Sequence, residues 1–323
     1  MRVDLHNHVV PERVLELVRG DAAFGVDLEG SSWRWKDQVE FEVTPSFRDP
    51  AAKLTELKAN ELDAAVVSVA PPIFGYQLQG ERAREFCAAT NDGLAEFCEH
   101  NPEAYRWMAH VPMQDPELAV EVLEQAASMQ GCCAVQIGSS VAGRRLDEEP
   151  YEPFWSAVER LRLPVMIHPI YSGDAPPQLE AYYLVNAIGF PLETTVAIER
   201  LICAGVLSRH PGLRILLVHA GGYFPYQAGR LRHTRSVRPE LAEAPEDPWD
   251  FLPQLWFDVI THDPGALRFL VDRVGLDRVV MGTDLPFDMA LPNPVQAVSE
   301  AVGPEAVATV AETNPAAFLD FSA

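Results

Sequence analysis

The chain has 323 residues, 48% of them hydrophobic, and a formal net charge of −22. That supplies a large core, and the lack of any 18-residue apolar run argues against a transmembrane span. So acidic a chain without a Lys/Arg run repels polyanions, which excludes nucleic acid and anionic membrane surfaces as expected partners and demands specific arginines wherever an anionic substrate is held. The opening Met-Arg, followed at once by Asp4 and two histidines, lacks the apolar core of a secretory signal, so a cytoplasmic protein is expected. The five cysteines form no C-x-x-C pair and read as reduced core residues.

Eight short apolar runs are predicted as strands. The first, Arg2–Asn7, lies in the opening run Arg2–Val9 that carries His6 and His8; alternate residues of a strand share a face, so both imidazoles project from one spot. Alone, such a pair divides evenly between metal ligand and solvated histidine. A long segment at about 10–50 follows, with a hairpin-like stretch at Ser32–Val43. Then come Ala64–Val69, Arg106–Pro112, Ala134–Gly138, Pro164–His168, Arg214–His219, Leu255–Ile260 and Arg278–Gly282, near-continuous in hydrophobicity as buried parallel strands are. Helices are predicted between them, at Ala51–Asn60, Gly80–His100, Pro116–Met129, Tyr151–Arg160, Leu192–Leu207, Pro264–Val274 and Pro294–Val302. Strict alternation over this length predicts an α/β protein of one domain, residues 1–323, folded as a (β/α)8 TIM barrel with a small hairpin-containing insertion after strand one. An open doubly wound sheet is the alternative. The loops at 169–190 and 220–254 are long and fall on the face where such barrels place their sites.

On that barrel His6 and His8 end strand one, His168 strand five, His219 strand six and Asp284 strand eight. Singly, His168 is a hydrogen-bonded strand end and Asp284 a turn former; together they converge on one mouth. Three imidazoles and a carboxylate suit a divalent ion, zinc best, with iron, cobalt or manganese as the other ions such a set accepts. A bridged pair of metals needs an anionic side chain near the end of strand four, where Gln136 is neutral, and the last lysine of the chain is Lys58. One metal is therefore expected, held by His6, His8, His168 and Asp284, with Asp284 also orienting a water and His219 free to act as general acid/base.

The H-x-H strand, the strand-ending His168-Pro169, the run Val218–Arg230 and Gly282-Thr-Asp-Leu-Pro-Phe287 resemble the amidohydrolase superfamily. Within it the chain is similar to the aminocarboxymuconate-semialdehyde decarboxylase group, which includes γ-resorcylate and 5-carboxyvanillate decarboxylases. Pro112–Val120, Val135–Gly138 and Phe190–Thr195 extend the likeness nearly end to end. The resemblance implies one zinc on the four residues named, His219 as proton shuttle, and non-oxidative loss of CO2 from a small aromatic or conjugated carboxylate. It also implies a homodimer in which Arg230 reaches the partner's site to hold a substrate carboxylate; the residues alone make Arg230 a helix-surface cation. Phe287 belongs to the matched motif and is expected at the substrate.

Two departures bear on recognition. Glu42, between Phe41 and Val43, replaces the group's carboxylate-binding arginine, with Arg48 read either as its substitute from the same loop or as an ordinary surface arginine, and Asn186 replaces a pocket tryptophan. They keep alive a rival chemistry on the same centre, hydrolysis or hydration of a lactone, amide or unsaturated diacid, beside a third reading as a non-catalytic barrel. His262 is expected as a helix-cap neighbour or a lining residue of the mouth, His100 and His210 as surface residues, His233 as an interface or surface residue, and His110 as facing either pocket or core. Trp33, Trp35 and Phe74 are read as buried rather than as a substrate cover.

Overall fold

The computed structural model describes residues 1–35, 40–170 and 176–320. Eight strands form one parallel sheet in chain order: β1 (Val3–Val9), β2 (Ala64–Val69), β3 (Tyr105–His110), β4 (Cys132–Gly138), β5 (Val165–His168), β6 (Ile215–Leu217), β7 (Leu255–Asp258) and β8 (Val279–Val280). Each lies on a run predicted as strand. The sheet closes because β1 also meets the chain around β8. Leu5 N–H donates to the Met281 carbonyl at 2.9 Å, His8 N–H to Leu285 at 2.9 Å, and the Asp284 N–H to His6 at 2.8 Å. The architecture is the (β/α)8 barrel.

Successive side chains alternate between two environments. Val67, Ile137, Ile167, Leu217 and Phe257 pack outward in the main core. Leu5, Val66, Met108, Met166, Leu216 and Trp256 form a separate inner cluster, against which Phe318 and Leu319 of the C-terminal helix Asn314–Leu319 pack. Two residues further along β3, β4, β5 and β7 the inward positions change character, to His110, Gln136, His168 and Asp258, all buried. The barrel thus carries an apolar plug under a polar layer.

Helix starts follow from capping. The Asp115 and Asp263 carboxylates accept from Leu118 N–H (3.1 Å) and Ala266 N–H (2.7 Å), each just before a proline at the helix start, which has no N–H to satisfy. The predicted helix Leu192–Leu207 is instead two, Phe190–Cys203 and Val206–Arg209, separated at Gly205, whose φ of 72° ends the first.

The segment after β1 begins with helix Glu12–Gly20, which buries Val14, Leu15 and Val18 at helical spacing. A three-stranded antiparallel sheet follows, Val26–Glu29, Ser32–Trp35 and Glu40–Glu42. Its last two strands are the predicted hairpin, whose turn at 36–39 lies outside the described residues, as do 171–175 of the long loop after β5 and the final 321–323. The first strand was not expected; Gly30, at φ 62°, turns it onto Ser32–Trp35. Trp33, Trp35 and Phe74 are buried, as read from the sequence. His210 is not the surface residue expected: its ring is buried between Glu159 (3.1 Å) and Glu152 (2.8 Å), because the loop before Pro211 packs back on helix Glu152–Leu161. Among the described residues no helix is long and apolar enough to cross a membrane.

His110 resolves to the core: it is fully buried, stacks on Phe74 and lies 2.9 Å from that residue's carbonyl. Burial pushes its pKa down to about 4, outweighing the bond to Phe74. A histidine depressed below its unfolded value of about 6.5 contributes stability above that pH, and loses it as pH falls through about 4. Urea unfolding should therefore show stability declining between pH 6.5 and 4, with a shallower decline in His110→Phe; identical slopes would refute the assignment.

Candidate metal centre

The histidines of the mouth are oriented from behind. His6 Nδ1 lies 2.8 Å from the Asp258 carboxylate, His8 Nδ1 3.2 Å from the Ser68 hydroxyl, and His168 Nδ1 2.9 Å from the Pro169 carbonyl. With Nδ1–H engaged, each ring presents Nε2 to the mouth. All three Nε2 atoms are buried and have no hydrogen-bond partner, and the same is true of Asp284 Oδ1. These atoms converge: Asp284 Oδ1 lies 3.3 Å from His6 Nε2, 3.0 Å from His8 Nε2 and 4.0 Å from His168 Nε2. Four orphaned buried polar atoms pointing at one spot are what a bound cation satisfies.

His219 completes the group from the open side. Its Nε2 is 3.5 Å from the other Asp284 oxygen, Oδ2, and its side chain is 16% exposed. His6, His168, His219 and Asp284 can also be grouped by one ligand atom each, all within 4.8 Å. His8 is the residue that grouping omits, yet its Nε2 is the histidine nitrogen closest to Asp284 Oδ1. His8 offers an Nε2 without a hydrogen-bond partner to the same spot, and His219, whose own Nδ1 is also buried without one, borders the cavity.

Electrostatics point the same way. Burial opposes charge on His6, but Asp284 and Asp258 outweigh it and raise its pKa to about 10, while burial holds His8 down to about 4 and His168 to about 3. Asp284 is buried too, a burden overcome by His6 and the other imidazoles, which keep its carboxyl well below the usual range. The site draws in positive charge and keeps two imidazoles neutral, the form that binds metal. A divalent metal fits this donor set.

Asp258 was not anticipated as a site residue. It is fully buried; Oδ2 accepts from His219 N–H (2.9 Å) besides meeting His6, and Oδ1 accepts from Ala220 N–H (2.7 Å). One carboxylate thus orients both a metal-facing ring and the loop bearing His219. Its signal lay in strand parity, two residues beyond inward Trp256. That loop is tight: a Cβ at Gly222 would sit 2.1 Å from the Pro191 carbonyl oxygen, so the Gly221-Gly222 pair after His219-Ala220 is required.

A cavity of about 610 Å³ opens beside His219 and Asp284, and Asn186, Tyr223, Tyr226, Ile260, His262 and Met289 are among its walls. Asn186 is therefore at the mouth, on a π-helical turn Val185–Gly189, and His262 lines it rather than merely preceding the cap. Phe287 stacks edge-on against His8, backed by Phe41 and Phe47. Neither Arg48 nor Arg230 is among the described residues that line this chain's cavity. Arg48 pairs with Glu12, its Nε at 3.0 Å. Arg230 is exposed on helix Phe224–Val237. Glu42 is exposed and receives a hydrogen bond from Ser31, while its half-buried neighbour Phe41 turns toward Phe287.

A family model described as amidohydrolase matches residues 3–321. The chain is 32% identical over 299 residues to 2-amino-3-carboxymuconate-6-semialdehyde decarboxylase of Dictyostelium discoideum, spanning 90% of this chain and 82% of that one. It is 29% identical over 259 residues to gamma-resorcylate decarboxylase of Rhodococcus jostii, spanning 73% and 77%. The crystal structure of 5-carboxyvanillate decarboxylase of Novosphingobium aromaticivorans, complexed with manganese and 4-hydroxy-3-methoxy-5-nitrobenzoic acid, superposes with a TM-score of 0.83 at 23% identity, over 99% of this chain and 96% of that one.

Loading chelator-treated protein with a divalent ion at about 100 times its Kd should stabilise it by about 2.7 kcal/mol. His168→Ala should bind well under one ion per chain and lose that increment; denaturation with and without metal, beside elemental analysis, decides it.

Proposed function

Because the chain belongs to the amidohydrolase family, we propose that it is a metal-dependent, non-oxidative decarboxylase of a small aromatic or conjugated carboxylic acid. The observation that carries this reading is the convergence of four unpartnered buried atoms, from His6, His8, His168 and Asp284, beside a cavity into which His219 faces. Those four residues would hold the ion; zinc is our assignment, since it accepts three imidazoles and a carboxylate. When bound, such an ion polarises a substrate oxygen.

The chain supplies the rest. In decarboxylation the bond from the substrate carbon to its carboxylate breaks, CO2 departs, and the electron pair left on carbon takes up a proton. In a conjugated substrate that carbon can instead take the proton first, and the pair freed when the bond to the carboxylate breaks then returns to the conjugated system. His219 is the proton donor in this reading: Nε2 stands beside Asp284 Oδ2, and its backbone is fixed by Asp258. Water then restores its proton. Ile260, Leu270, Phe269 and Met289 give the cavity apolar walls, which limit competing attack by water.

The proposal includes a homodimer. Tyr226 and Arg230 are four apart on one exposed helical face, and Tyr226 borders the cavity. Tyr182, Tyr183, Ile188, Leu192 and Phe269 add further exposed apolar surface. Arg230 would then serve the partner's cavity, where the described lining holds no lysine or arginine.

Metal-loaded protein should release CO2 from a panel of hydroxybenzoates, vanillate-type acids and muconate semialdehydes. His219→Asn should lower the rate by about 10²–10⁴-fold with metal content unchanged. No release from any member at full metal content would reject the decarboxylase in favour of hydrolysis or hydration, to be sought with lactones and unsaturated diacids.

A further inference from the structure

What the cavity recognises besides the leaving carboxylate rests on the decarboxylase reading above, and the chain beyond β6, β7 and β8 bears on it. Each of these strands is followed by a residue in the left-handed backbone region: His219 at φ 53°, His262 at φ 54° and Asp284 at φ 64°. L residues avoid that region because Cβ crowds the following carbonyl, so such positions cluster where function over-determines them. At His219 and Asp284 the kink delivers a side chain to the centre. At His262 the same kink delivers an imidazole to the wall of the same cavity.

The turn around His262 is locked from both sides. Thr261 Oγ1–H donates to the Asp263 carbonyl at 2.9 Å, and the Asp263 carboxylate caps helix Pro264–Val274. The ring itself is exposed and has no hydrogen-bond or ion-pair partner among the described residues. With no lysine or arginine of this chain in the described lining, His219 and His262 are the lining residues with ring N–H groups to offer an anion. His219 is engaged beside Asp284; His262 is not.

We infer that His262 is a specificity-determining residue, donating a hydrogen bond from its imidazole to a second acidic group of the substrate, remote from the carboxylate that leaves. The substrate class narrows to small aromatic or conjugated acids bearing two acidic groups.

The test is calorimetric titration of the metal-loaded, full-length protein with two matched probes. One is 4-hydroxy-3-methoxy-5-nitrobenzoic acid, whose nitro group stands in for a leaving carboxylate while a second carboxylate remains. The other is 2-methoxy-6-nitrophenol, the same ring without that carboxylate. The wild type should prefer the acid by about tenfold or more, the scale of one hydrogen bond to a charged group. His262→Gly should bring the ratio close to one while melting at a higher temperature, since glycine is at ease at this φ. His262→Asn, a shorter donor that tolerates the turn, should fall between them. A wild type without the preference, including one that binds neither probe, would overturn the inference, as would a preference that survives in His262→Gly. CO2 release is read separately: its absence with the preference intact would remove the proposed reaction and leave the role of His262 standing.

Discussion

Everything at the mouth of this barrel depends on burying three carboxylates, Asp4, Asp258 and Asp284, with no lysine or arginine ion-paired to any of them among the described residues. An isolated buried carboxylate is costly, so each must be met by donors or by a cation. Asp4 is met by donors: His6 N–H and Thr283 N–H at 3.1 Å, Asn7 Nδ2–H at 2.7 Å and Thr283 Oγ1–H at 2.6 Å. Burial nevertheless outweighs those bonds and raises its carboxyl to about 6. These bonds tie β1 to the chain beyond β8 and close the barrel at its seam. The same seam carries His6, His8 and Asp284, so the contacts that close the barrel also bring these side chains together.

Lys53 belongs to this account. Its side chain is fully buried, and its ammonium donates to Glu56 at 3.2 Å and to the Leu285 carbonyl at 3.4 Å. That carbonyl also accepts from His8 N–H. Burial lowers Lys53 to about 8 despite nearby Glu56, Asp4 and Asp284. A buried cation thus pins the backbone immediately after Asp284 without pairing with its carboxylate, which leaves Asp284 available to imidazole and metal.

The barrel was legible in the sequence because buried parallel strands write themselves as short continuous apolar runs, and eight of them alternate here with helical segments. The five residues of the mouth were legible for a related reason: a histidine or aspartate at the end of such a run has no apolar purpose. Val26–Glu29 escaped notice because a half-buried strand four residues long offers too little pattern to separate it from a loop. Asp258 escaped because its partners, His6 and the His219 loop, are remote in sequence. The partner of Arg48, Glu12, lies 36 residues away. In each case the missing information was a tertiary neighbour, which no local propensity encodes.

The two oxygens of Asp284 divide the work of the mouth. Oδ1 faces the unpartnered nitrogens of His6, His8 and His168, while Oδ2 faces His219. Whatever fixes Oδ1 therefore also fixes the rotation of the carboxylate, and with it the distance at which His219 sees a negative charge. Asp258 repeats the device one strand away, holding His6 and the His219 backbone with a single side chain. Asp258 thus holds the His219 backbone and Asp284 faces its ring, and the same two carboxylates meet His6. In the proposed reaction, where a proton must reach one particular carbon of the substrate, this shared positioning would set the place of His219 relative to the metal-facing atoms.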